Sequence, residues 1–238
     1  MSLLQPTKPI EIMKQKAALR ALECVRPGMK LGLGTGSTAR YFVDGLGQKC
    51  VDGLLDVVCV PTSEATRAQA AELGIAMAEL GALGRLDLTV DGADEITRDL
   101  HLIKGGGGAL LREKIVVAAS DAMIVIADDT KLKDHLGTFA LPVEVNKFAH
   151  DATAAALQGV FAQYGLAGSV GLRGGETPFE TDGGHFIYDC ALGKIDAPQE
   201  LASALLGVPG VVEHGLFLTY ATGAVLAGAD SLTELGNL

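Results

Sequence analysis

Residues 32–38 read Gly32-Leu33-Gly34-Thr35-Gly36-Ser37-Thr38. The glycines permit a tight turn that aims backbone N–H groups at a ligand. Ser37 and Thr38 add hydroxyls where a helix would begin, a place that favours anions. The chemistry this suits is phosphate binding. A dinucleotide fingerprint would need Gly where Ser37 stands, and a nucleoside-triphosphate loop would need Lys before Ser37. A plain glycine turn capped by Ser or Thr is the simpler alternative.

Asp91-Gly92-Ala93-Asp94-Glu95 places three carboxylates in five positions. Like charges this close cost free energy unless they are solvated or matched to a ligand. They can accept hydrogen bonds from hydroxyls, pass a proton or hold a hard cation such as Mg²⁺. An acidic turn and helix cap is the plainer alternative.

Lys104-Gly105-Gly106-Gly107-Gly108 leads into Ala109-Leu110-Leu111-Arg112-Glu113-Lys114. Four consecutive glycines are costly to order, which favours a loop that wraps a ligand over mere filler. Glu113 has apolar neighbours in Leu110, Leu111, Ile115 and Val116. Burial there would favour the neutral carboxyl and suit a base working near neutral pH. Helical periodicity alone instead makes Glu113 and Lys114 a solvated face.

The elements that must position these segments alternate. Apolar spacing predicts a helix over 11–24, stopped by Arg26-Pro27-Gly28. A strand at 30–33 enters the first glycine loop, and a helix follows from 39 to 46. A strand at 56–60 ends in Pro61-Thr62-Ser63, with a helix over 64–73 capped by Gly74. Further strands are expected at 75–80 and 86–90, the latter running into Asp91. A helix over 109–119 precedes a strand at 123–127, which ends in Asp128-Asp129-Thr130-Lys131. Such alternation predicts a parallel sheet with helices on both faces. Ligands of these sheets bind at the C-terminal strand ends, where the polar segments lie.

After residue 137 the pattern changes. A strand at 141–145 is followed by a helix over 151–164 and by paired strands at 169–173 and 185–190. A helix over 198–206 opens on Pro198, and a strand spans 211–218. The order β-α-β-β-α-β is the ferredoxin-like split βαβ. The expected fold class is α/β. A Rossmann-like parallel sheet domain spans 1–137, with 216–238 returning to it, and a smaller ferredoxin-like α+β lid domain spans 138–215.

Composition sets outer bounds. The net charge of -10 and the lack of a basic run argue against nucleic-acid binding. Cys24, Cys50, Cys59 and Cys190 form no CxxC pair, and the histidines have no HxxxH spacing. Neither a disulfide scaffold nor a zinc ribbon is expected. The N-terminus lacks a secretory signal, and no apolar run reaches the roughly 20 residues of a membrane span. A soluble cytoplasmic protein is expected.

The segments GLGTGST at 32–38, VDGADEI at 90–96, KGGGGALLREK at 104–114 and LPVEV at 141–145 together resemble type A ribose-5-phosphate isomerases. RPGMKLGLGTGSTA and GVPGVVEHGLF extend the likeness across almost the whole chain. The resemblance implies a metal-free, nucleotide-free enzyme that is a homodimer or tetramer. It would interconvert ribose 5-phosphate and ribulose 5-phosphate in the non-oxidative branch of the pentose phosphate pathway. It implies no cofactor and no membrane or nucleic-acid partner, only a pentose phosphate substrate. It makes Glu113 the proton acceptor and places Asp91, Asp94 and Lys104 around the sugar. Thr35, Gly36, Ser37, Thr38, Gly92, Ala93, Gly105, Gly106, Gly107 and Lys131 become substrate-binding, and Lys14 matches a lysine near the phosphate. The chain departs from the family pattern at Gly108, where many members have Ala. It departs again at Gly183-Gly184-His185, where Gly-Asn is usual.

Three rivals carry different signatures. A sugar-phosphate sensor need not keep Glu113 with Lys104. A nicotinamide-linked oxidoreductase is disfavoured by Ser37 and by the lack of an acidic residue at the second strand tip. In acyl or coenzyme A transfer, Glu113 would become a covalent nucleophile.

Overall fold

The elements of the computed structural model, which describes residues 6–238, follow the chain in this order. They are α1 (Pro9–Leu22), β1 (Lys30–Leu33), α2 (Ala39–Val51), β2 (Val58–Pro61), α3 (Glu64–Glu72), α4 (Leu80–Leu83), β3 (Leu88–Asp91), β4 (Glu95–Ile96), β5 (Leu102–Ile103), α5 (Leu110–Ala118), β6 (Met123–Asp128), β7 (Leu141–Val145), α6 (His150–Gln163), β8 (Ser169–Leu172), β9 (Phe186–Ala191), α7 (Pro198–Leu206), β10 (Val211–His214), β11 (Leu216–Phe217), β12 (Gly223–Ala227) and β13 (Leu232–Gly236). The reading of the N-terminus as lacking a signal falls partly on residues 1–5, outside the described residues. No described helix is long and apolar enough to cross a membrane.

Two compact units share these elements. The first holds the residues up to Ala93, Arg112–Leu132 and Tyr220–Leu238. Its sheet runs β13-β12-β6-β3-β1-β2, with every neighbouring pair parallel except β12 and β13. All residues of β3, β6 and β12 are buried. That explains the apolar runs Met123–Ala127 of β6 and Ala224–Ala227 of β12, since a strand covered on both faces has no solvent side to mark with polar residues. Leu31, Leu33, Phe42, Leu46, Ile124 and Val225 lie in its core. Helix α1 starts on Pro9 and buries Ala17, Ala18, Ala21 and Leu22. Helix α3 is capped by Ser63, whose side chain accepts from Thr66 N at 3.1 Å.

The second unit holds Asp94–Leu111 and Lys133–Thr219. Its antiparallel sheet has the order β10-β7-β9-β8. Helices α6 and α7 add Leu157, Phe161, Leu201 and Leu205 to a core with Leu141 and Val143. A small sheet β11-β5-β4 completes the unit.

Several elements differ from the sequence reading. The strand expected at 75–80 is a single bridge between Met77 and Cys59, followed by the short α4. The strand expected over 211–218 breaks at Gly215, so that β10 pairs with β7 and β11 with β5. Gly215 N donates to Pro142 O at 2.8 Å, and its carbonyl accepts from Lys104 N at 2.9 Å. The sequence does not predict strand β13, because its residues are mostly exposed and carry no apolar pattern. The sequence predicts a first domain unbroken to residue 137. Residues 94–111 instead cluster with the second unit, where β11 supplies the partner of β5.

Candidate active site

In the first unit, β1 brings Gly34 against the end of β3. Gly34 N donates to Val90 O at 2.9 Å, and a Cβ at Gly34 would overlap the Asp91 carboxylate, so only glycine fits there. Asp91 is buried, and its Oδ1 accepts from Thr35 N at 3.0 Å and Gly92 N at 2.7 Å. One carboxylate thus ties together the first glycine loop and the loop after β3.

The Thr35 hydroxyl lies 2.7 Å from that of Thr62 and 3.2 Å from that of Thr66, and it donates to Ser63 Oγ at 2.8 Å. Thr66 Oγ1 in turn donates to Gly34 O at 3.0 Å. The sequence does not reveal this hydroxyl cluster, since Pro61-Thr62-Ser63 by itself marks only a strand tip without an acidic residue. Its signal lies in Thr66, three residues beyond a helix cap, and it needed the β1–β2 pairing to acquire meaning. Ser37 is exposed and accepts from Lys14 Nζ at 2.9 Å, so α1 does bring Lys14 to this loop. Gly36 has φ +113° and Thr38 is buried at the start of α2.

Helix α5 reverses the expectation from periodicity. Glu113 is 4% exposed and Lys114 7%, whereas Ile115 is 51% exposed. The charged pair faces inward and the isoleucine outward. Burying ionic groups at this cost is a feature of functional sites more than of stable cores. Lys131 is half-buried on a 3₁₀ turn, Asp129–Lys131, at the C-terminal end of β6.

In the second unit, Asp94 Oδ2 accepts from Gly106 N at 2.7 Å. Glu95 is buried and accepts from Gly137 N at 2.7 Å and Phe139 N at 2.6 Å. The three carboxylates of residues 91–95 therefore each serve their own backbone donors, which offsets the repulsion that their spacing implies. Glu95 is an anchor for the 137–139 loop. Lys104 is 2% exposed, with its ammonium 5.5 Å from the centre of the Phe217 ring, a cation–π contact. Gly105 has φ +106°, and Gly106 and Gly107 are exposed. Ala93 and Gly92 are half-buried. Among the described residues, no three His, Cys, Asp or Glu side chains gather as a metal ion would require.

The departure at His185 has a structural partner. Its Nδ1 lies 2.9 Å from Oε1 of the buried Glu144, which also accepts from Thr181 Oγ1 at 2.9 Å.

Residues 58–231 match the family model described as ribose 5-phosphate isomerase A (phosphoriboisomerase A). A relative from Rhodopseudomonas palustris (strain BisB5), ribose-5-phosphate isomerase A, is 59% identical over 224 residues, 93% of this chain and 96% of the relative. The ribose 5-phosphate isomerase of Plasmodium falciparum superposes with a TM-score of 0.90 at 35% identity, covering 95% of this chain and 99% of that one. A D-ribose-5-phosphate isomerase solved in complex with phospho-erythronic acid superposes with a TM-score of 0.89 at 35% identity, covering 96% and 99%. A Rossmann-like parallel sheet, a ferredoxin-like sheet and these matches along the chain agree, and the chain belongs to the ribose 5-phosphate isomerase A family.

Proposed function

We propose that this protein interconverts D-ribose 5-phosphate and D-ribulose 5-phosphate through an enediolate, with Glu113 as the base. The observation that carries the reading is the burial of the Glu113 carboxylate on α5, within a family-matched segment. In the aldose-to-ketose direction, Glu113 takes the proton from C2. The C2–H electrons form the C1–C2 double bond and the carbonyl electrons move to O1. Glu113 then returns the proton to C1 while the O2 proton passes to O1, leaving the ketone at C2. Lys104 offsets the negative charge that develops on oxygen. Asp91 assists opening of the furanose ring, and Asp94 orients hydroxyls. The phosphate takes Thr35, Gly36, Ser37 and Thr38, with Lys14 and Lys131 supplying positive charge. Gly92, Ala93, Gly105, Gly106 and Gly107 bring backbone close to the sugar.

The reaction needs neither metal nor nucleotide on this reading, because a lysine already serves the oxyanion. The proposal extends to a cytoplasmic homodimer that acts in the non-oxidative branch of the pentose phosphate pathway, without nucleic-acid or membrane partners. Ribose 5-phosphate supplied to the purified protein with EDTA and without nucleotide should yield ribulose 5-phosphate. Activity lost on chelation and restored by Mg²⁺ would reassign the 91–95 carboxylates as metal ligands. Light scattering showing a 24.5 kDa monomer at working concentration would remove the dimer.

A further inference from the structure

We infer that Arg173, braced by Asp189 and Phe179, is a positioning residue that holds the Lys104–Gly107 loop in its working conformation. The inference rests on the isomerase reading for its catalytic consequence, but its structural content lies wholly within the second unit.

A run of four glycines cannot order itself. Glycine loses more backbone freedom on ordering than any other residue and brings no side chain to pack. Something outside the loop must define it. Arg173 Nη1 donates to Gly105 O at 2.9 Å and to Gly106 O at 3.3 Å. One guanidinium nitrogen therefore orients two successive peptide planes. In a trans peptide the N–H points opposite to the C=O. Drawing the Gly105 carbonyl toward Arg173 turns Gly106 N–H the other way, where it meets Asp94 Oδ2 at 2.7 Å. Drawing the Gly106 carbonyl the same way turns Gly107 N–H away from Arg173. The arginine thus sets the directions of two donors in a loop assigned to the substrate.

Arg173 is itself held. Its Nε donates to Asp189 Oδ2 at 2.9 Å and its Nη2 to Asp189 Oδ1, a two-point fork that leaves Nη1 for the loop. Lysine cannot reproduce this geometry. The guanidinium carbon lies 5.8 Å from the centre of the Phe179 ring, and Phe179 N donates to Arg173 O at 2.9 Å. The same ring fills the space that a Cβ on Gly108 would need, and Gly108 has φ +79°. A larger residue at Gly108 would displace the ring and take a strained backbone angle.

The test uses the full chain with Arg173→Ala, Arg173→Lys and Asp189→Asn, the last in case Arg173→Ala fails to fold. Four readouts separate positioning from plain stability. Hydrogen exchange of the 104–108 peptide should rise in each variant. In Arg173→Ala, kcat for ribose 5-phosphate should fall on the order of 10²-fold, the scale expected when a reacting group is displaced by about an ångström. The affinity for inorganic phosphate, which reports on the 35–38 loop, should stay at the wild-type value. Guanidinium ion at sub-denaturing concentration should restore part of the lost turnover in Arg173→Ala, and Arg173→Lys should restore none. Unchanged exchange in the loop, or faster exchange with wild-type kcat, would overturn the inference. A wild-type protein inactive on ribose 5-phosphate would sink the isomerase reading instead, and the exchange data would still decide whether Arg173 orders the loop.

Discussion

The backbone N–H of Thr35 donates to Oδ1 of Asp91 at 3.0 Å, joining the first glycine loop to the end of β3. The same oxygen accepts from Gly92 N, so Asp91 has a structural task as well as its proposed chemical one. Two substitutions part them. Asp91→Asn keeps an oxygen for both donors and should leave the melting temperature near wild type while lowering kcat. Asp91→Ala strands two backbone donors and should also cost about 1–3 kcal/mol of stability. Equal stability in the two variants, measured by thermal unfolding, would show that the hydrogen bonds do not hold the loop.

Glu113→Gln tests the base. Glutamine has nearly the same shape but cannot accept the C2 proton. Turnover should drop by about 10²–10⁴-fold, the usual contribution of a general base. The Kd of a non-reactive pentose phosphate should barely move. In D₂O the wild type should place deuterium at C1 of ribulose 5-phosphate when solvent exchange competes with proton return. Near-normal turnover in Glu113→Gln would transfer the role to Asp91 or Asp94.

Binding and turnover should divide between the two positively charged regions. Lys14 reaches Ser37 Oγ at 2.9 Å, within the loop assigned to the phosphate. Lys14→Ala, Ser37→Ala and Lys131→Ala should raise KM with little change in kcat, because phosphate contacts persist from ground state to transition state. Lys104→Ala should mainly lower kcat, by about 10²–10³-fold if it stabilises the oxyanion. Steady-state kinetics showing the same split for both sets would remove the distinction.

Burial pushes the thiols of Cys59 and Cys190 up to about 12. Both should resist alkylation by iodoacetamide at pH 8 in the native protein and react once it is unfolded. The sign of the linkage follows from the direction. The folded-state values lie above the unfolded one, about 8.5. The folded protein therefore holds these protons more tightly, and that contribution is complete below about pH 8.5 and is lost as pH rises toward 12. The urea midpoint should decline over this window, and Cys59→Ala with Cys190→Ala should flatten the decline. A midpoint that stays constant from pH 8.5 to 11 would contradict it.

Much of the fold was legible in local sequence. Strands β1 and β7 and helix α7 fall where apolar spacing and Pro198 place them, because each is specified by its own residues and their neighbours. Gly34 and the glycine run at 105–108 were legible as places of close backbone approach. The resemblance marked Glu113 as the residue to examine.

The tertiary structure decided what depended on distant partners. Periodicity left Glu113 and Lys114 on a solvated face, but packing buries both and exposes Ile115. The segment 211–218, with apolar pairs at Val211-Val212 and Leu216-Phe217, predicts one strand and conceals the break at Gly215, where Gly215 N donates to Pro142 O and Gly215 O accepts from Lys104 N. The acidic cluster at 91–95 does not reveal that Asp91, Asp94 and Glu95 serve three different sets of backbone donors. Nor does a lone Arg173 announce that it grips a loop 68 positions earlier in the chain. Sequence spacing records local periodicity and turn chemistry, which act over a few residues. Which charges are buried, and which backbone groups they satisfy, depends on contacts made only when remote segments pack.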